Sequence, residues 1–120
     1  MTGVRIGLAQ LSLAPLDVAS NIERTVAAVE KAAADGADVV VLPELASSGY
    51  VLHEPMLRSV AERTDRPGAA LRAWADVAAA TRTTVVAGLP ESDGDALYNT
   101  AVVLGPDGRV VTRYRKLHLF

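Results

Sequence analysis

A chain of 120 residues with a formal net charge of −2 and no cysteine holds one small domain or part of a larger one. That charge argues against nucleic acid as the main partner, and the lack of cysteine excludes disulfides, thiolate metal sites and a cysteine nucleophile within these residues. Half of the residues are hydrophobic, chiefly alanine, valine and leucine with few aromatics, so material for a core is ample.

The N-terminus, Met1-Thr2-Gly3-Val4-Arg5, enters a strand-like run directly. It shows no signal peptide, and nowhere is an apolar stretch long enough to span a membrane. The expected location is the cytoplasm, with no membrane partner. Alternation over 4–10 predicts a first strand, and Pro15 and Asp17 mark 11–18 as a loop. Ser20-Asn21-Ile22-Glu23 fits a capping box, in which the Ser20 hydroxyl accepts from the Glu23 amide and the Glu23 carboxylate reaches back. The helix that follows places Ile22, Val26, Val29 and Ala33 on one face, and Gly36 suits the position just past its end.

Val39-Val40-Val41-Leu42-Pro43-Glu44 comes next, a β-branched apolar run closed by proline and an acid. Such a run reads as a fully buried strand in a sheet covered on both faces. Pro43 has no amide hydrogen and stops the ladder, so Glu44 lands at the strand's carboxyl end. Ligands of open α/β sheets bind at that edge. Position alone therefore makes Glu44 a candidate general base, against the plainer alternative of a solvated strand-end acid.

Ala46-Ser47-Ser48-Gly49-Tyr50 is a loop, 56–63 a short helix, and Arg66-Pro67-Gly68 a turn. A helix over 69–81 buries Leu71, Trp74, Ala75 and Ala78. A strand over 83–89 again ends in proline and acid, Pro90-Glu91, and a polar turn covers 92–95. Strands over 97–104 and 109–115 flank Gly105-Pro106-Asp107-Gly108, a hairpin signal that makes this pair antiparallel. The last residues, Tyr114 to Phe120, finish on apolar groups with no helix to cover the hairpin, so the fold is expected to stop before its sheet is covered.

Taken in order, VRIGLAQLSLAPLDVASNIERTVAAVEKAAADGADVVVLPELASSGY, TTVVAGLPE and LYNTAVVLGPDGRVVTRYRKLHLF resemble the N-terminal part of the nitrilase family, the carbon–nitrogen hydrolases. The resemblance runs over essentially the whole chain and rests on the agreement of many short matches in order and spacing. It implies an α/β fold: the N-terminal part of a nitrilase-like α-β-β-α sandwich, a mixed sheet with helices on one face and a late antiparallel hairpin. Residues 1–120 would then be one part of a single domain whose C-terminal part is absent. It also implies cofactor-free hydrolysis of a non-peptide C–N bond in a small amide or nitrile, by a homo-oligomer. Glu44 matches the family's general base, and Lys116 the lysine that stabilises the tetrahedral intermediate. The family's nucleophile is a cysteine beyond that lysine, and this chain has none.

Tyr50, after Gly49 in the loop that follows Glu44, is a candidate substrate contact, or else it packs under that loop. Glu91 reads as a strand-end acid, Asn99 as a partner for backbone groups near the hairpin, and Arg113 and Arg115 as a basic patch with Lys116. His53 and His118 lie far apart without paired acids, so no metal or cofactor is expected. Two rival readings remain at this level. One is a non-catalytic short relative that binds or oligomerises through an exposed hairpin edge. The other is a doubly wound binding domain of flavodoxin type, against which the late hairpin and the missing phosphate loop both count.

Overall fold

Helical crossovers bring successive strands parallel, and glycine-bearing turns bring them antiparallel. The structure, a computed structural model, describes residues 3–119; Met1, Thr2 and Phe120 lie outside the described residues. Strand β1 (Ile6–Leu8) leads through helix α1 (Val18–Ala34) to β2 (Val39–Val41). Helices α2 (Glu54–Val60) and α3 (Ala69–Thr81) precede the meander of β3 (Thr84–Asp93), β4 (Ala96–Leu104) and β5 (Val110–Arg115). These form one mixed sheet in the order β1-β2-β3-β4-β5. Gly7 pairs with Val40 and Val40 with Val85 in parallel; β3–β4 and β4–β5 are antiparallel.

Side chains alternate across a strand, so this register sorts the two faces. Val40, Val85, Ala87, Leu89, Val102 and Leu104 point one way and are buried beneath Val29 of α1 and Leu71, Trp74 and Ala78 of α3. The Trp74 indole, 0% exposed, donates to Thr25 Oγ1 at 2.9 Å and ties α3 to α1. The other face is open: Ile6, Leu8 and Tyr114 are all exposed. Val39-Val40-Val41 is accordingly not buried on both faces as its composition suggests. Val40 is buried and its neighbours only half so, because helices cover one side of the sheet alone.

Several boundaries differ from expectation, β1 covering only Ile6–Leu8 of the expected 4–10. Helix α1 begins at Val18, not after Ser20. The Asp17 carboxylate accepts from the Ser20 amide at 3.1 Å, so a charged cap three residues earlier displaces the capping box. Helix α2 spans Glu54–Val60, with Pro55 in its first turn, and stops where Ala61 becomes extended. Glu62 then bridges to Glu91 in parallel. Strand β3 does not end at Leu89 but runs on through Pro90 and Glu91. Pro90 sits opposite Asn99 with its carbonyl accepting from the Glu62 amide at 3.0 Å, so its amide-less nitrogen faces away from β4 and the ladder loses nothing. The turn after β3, with Gly94 at φ +59°, makes a first hairpin ahead of the expected one.

Candidate active site

Beyond Val41 the chain stays against β3 for a short distance. The Leu42 amide donates to the Val86 carbonyl at 2.8 Å and the Ala46 amide to the Gly88 carbonyl at 2.7 Å. Between them Leu45 adopts a left-handed conformation at φ +50°, turning its own side chain inward, where it is 2% exposed, while Glu44 stays at the surface. The turn fits because position 88 is glycine. A Cβ there would lie 2.8 Å from the Leu45 nitrogen and 3.0 Å from the Glu44 Cα.

The open face of the sheet supplies Glu44's partners. Asn99 lies opposite Pro90, and Lys116, just past β5, donates its amide to the Asn99 carbonyl at 2.8 Å. From these positions Lys116 Nζ reaches Glu44 Oε1 at 2.8 Å, and Asn99 Nδ2 donates to the same oxygen at 2.7 Å. Residues 72 positions apart in sequence thus meet in one ion pair. Both partners land on Oε1, and among the described residues Glu44 Oε2 accepts no hydrogen bond.

Electrostatics follow from that contact. The Lys116 hydrogen bond, opposed by partial burial and helped by Asn99, holds the Glu44 carboxyl below its ordinary 4.5. The Glu44 carboxylate in turn raises the Lys116 ammonium above its ordinary 10.5. Both groups are therefore charged near neutrality. A depressed carboxyl adds stability above pH 4.5 that is lost as pH falls through the lower folded value; a raised ammonium adds stability below pH 10.5 that is lost as pH climbs through the higher one. In a carboxylate-labelled NMR titration, Glu44 is expected to titrate below the ordinary range, and Lys116→Met to raise its midpoint. An unmoved midpoint would mean that the ion pair does not form.

Lys116 and Asn99 stand between two depressions. One, of about 470 Å³, is walled by Tyr50, Leu52, Leu57 and Leu97, with Glu54, Arg58 and Asp95 at its rim. The other, of about 340 Å³, lies on the open sheet face and takes in Glu44, Gly88 and Tyr114. Tyr50 is 51% exposed on the wall of the first and does not pack beneath its loop.

Three expectations are overturned nearby. Asn99 does not serve backbone groups; its side-chain amide serves Glu44. Nor do Arg113 and Arg115 form a patch with Lys116. Strand alternation sends them to the opposite face, where both bind Glu91. Glu91 is no strand-end acid but a buried carboxylate, 1% exposed. The alternation of Arg113, Arg115 and Lys116 was the signal in the sequence that could have separated them.

Comparison with known proteins bears on this arrangement. The family model described as carbon-nitrogen hydrolase matches residues 5–120. The chain is 39% identical to the chloroplastic omega-amidase of Arabidopsis thaliana, covering 100% of this chain and 33% of that protein. It is 36% identical to the omega-amidase NIT2 of Homo sapiens, covering 100% of this chain and 42% of that protein. Among solved structures, a mutant of the amidase from Nesterenkonia sp. AN1, in which acrylamide has added to the active-site cysteine, superposes with a TM-score of 0.86 at 27% identity; the match covers 98% of this chain and 46% of that chain. The chain thus spans less than half the length of each of these relatives.

Proposed function

The chain belongs to the carbon–nitrogen hydrolase family, and from that premise we propose that residues 1–120 are the N-terminal part of a single amidase domain. In this proposal Glu44 is the general base, Lys116 the oxyanion stabiliser, and the nucleophile a cysteine outside these residues. The observation that carries the reading is the contact of Lys116 Nζ with Glu44 Oε1 at 2.8 Å, at the carboxyl end of β2. The active-site cysteine of the Nesterenkonia amidase supports the choice of nucleophile.

The chemistry then runs in two halves. Glu44, with Oε1 occupied by Lys116 and Asn99, takes the thiol proton on Oε2. The sulfur attacks the amide carbon and the carbonyl electron pair moves onto oxygen. The Lys116 ammonium stabilises that oxyanion. Collapse breaks the C–N bond, and protonated Glu44 returns its proton to the departing nitrogen, which leaves as ammonia when the substrate is a primary amide. A thioester remains. Water then attacks it, giving a proton to Glu44; the second tetrahedral species expels the thiolate, which recovers a proton as the acid forms. Glu44 and Lys116 start and end each cycle charged, as their ion pair favours.

Tyr50, on the cavity wall beside Lys116, is proposed as a substrate contact. The names of the plant and human relatives favour an ω-amide as substrate. Homo-oligomeric assembly and a cytoplasmic location complete the proposal. Among the described residues no helix is long and apolar enough to cross a membrane. The 120-residue chain has no cysteine, so on its own it is expected to release no ammonia from simple amides. Turnover by that purified chain would refute the mechanism. A defined dimer from a sizing column, with no turnover on extension through the cysteine, would favour a binding module instead.

A further inference from the structure

We propose that Glu91 is a positioning residue for Lys116, holding the end of β5 through Arg113 and Arg115; this rests on the assignment of Glu44 and Lys116 as the catalytic pair. Glu91 is the one carboxylate among the described residues that is fully buried yet plays no part in the chemistry above. Three of the five hydrogen bonds it accepts come from arginines of β5. Oε1 accepts from Thr100 Oγ1 at 2.8 Å and Arg115 Nε at 2.9 Å. Oε2 accepts from Arg113 Nη1 at 2.7 Å, Thr64 Oγ1 at 3.1 Å and Arg115 Nη2 at 3.2 Å.

Strand β5 needs such an anchor. It lies last in the sheet, with only β4 beside it, and its outward residues Thr112 and Tyr114 are exposed. Backbone pairing is therefore one-sided, and strand ends of this kind fray. Arg115 is gripped further by Asp93 at 3.1 Å and lies 3.8 Å over the Tyr98 ring. Lys116 is the next residue, on the opposite face. Glu91 cannot touch it; what Glu91 fixes is the backbone from which Lys116 projects. A forked, charge-assisted contact to a guanidinium sets orientation as well as distance, which suits that task.

The same carboxylate titration separates this role from a merely structural one by sign. If Glu91 acted on Glu44 only as a distant negative charge, its removal would ease ionisation and lower the Glu44 midpoint. If Glu91 positions Lys116, its removal weakens the ion pair and raises the midpoint. The chain is compared with Glu91→Gln, Lys116→Met and the double variant, each folded by circular dichroism. Glu91→Gln is expected to give at least half the rise that Lys116→Met gives, and to add nothing in the Lys116→Met background. A midpoint unmoved or lowered in Glu91→Gln, with Lys116→Met raised, overturns the positioning role and leaves the catalytic pair standing. A midpoint unmoved even in Lys116→Met overturns both. Should Glu91→Gln not fold, Arg115→Lys keeps the cation, loses the fork and decides on the same criteria.

Discussion

On the proposed mechanism, Glu44→Gln in a chain extended through the nucleophilic cysteine lowers kcat/KM by about 10²–10⁴-fold, the range for loss of a positioned general base. Glutamine keeps the volume and can keep an oxygen toward Lys116 and Asn99, so the geometry around Oε1 survives. What it loses is the basic oxygen that takes the thiol proton. The fold should hardly notice. The Glu44 and Lys116 side chains are 41% and 35% exposed, and ion pairs this open to solvent contribute only about 0–1 kcal/mol. Parallel thermal melts establish that the loss is chemical. A drop in activity that tracks a drop in melting temperature would instead assign Glu44 a structural role.

Trp74→Ala carries the largest expected effect on stability, about 3–5 kcal/mol. The indole is 0% exposed, belongs to the core between α3 and the sheet, and donates to Thr25 of α1. Its removal leaves a cavity at the point where the two helices meet and deprives Thr25 of a donor. Against a typical total of about 5–15 kcal/mol, that loss leaves a marginal fold. Trp74→Phe refills most of the space and gives up chiefly the hydrogen bond, at about 1 kcal/mol. Because Trp74 is the only tryptophan, its own fluorescence cannot follow these variants, and urea melts by circular dichroism are the measurement. Leu117→Ala, at a side chain 77% exposed, serves as the control and should stay within about 0.5 kcal/mol. A Trp74→Ala melt indistinguishable from the parent would mean that α3 does not dock on α1 as described.

What could be read in the sequence followed from local pattern. The 69–81 helix appears with its expected ends because Leu71, Trp74 and Ala78 recur at helical spacing and Gly68 opens it. The Gly105–Gly108 turn closes the β4–β5 hairpin because glycine suits φ +81° at position 108. Glu44 at a strand's carboxyl end was evident from Pro43. Its meeting with Lys116 was expected from family resemblance, since no local rule links residues so far apart.

Most of what escaped the sequence was decided by tertiary contact. Pro90 looked like a strand end because proline cannot donate. Nothing local says that its nitrogen faces Glu62 rather than β4. Glu91 was misjudged with it, since its burial depends on arginines more than twenty positions away. Asn99 finds Glu44 across 55 positions, again invisible to spacing. The capping box at Ser20 was a sound motif that lost to a better-placed carboxylate at Asp17.

The most direct test of the central claim, that Glu44 and Lys116 are the working pair of a thiol amidase, is ammonia release from a small ω-amide. The chain extended through its cysteine is compared with its Glu44→Gln and Lys116→Met variants at matched melting temperature. The account predicts turnover by the parent that a thiol-alkylating agent abolishes, with both variants reduced by about 10²-fold or more. Parental turnover in either folded variant, or parental activity that survives complete alkylation, would contradict it.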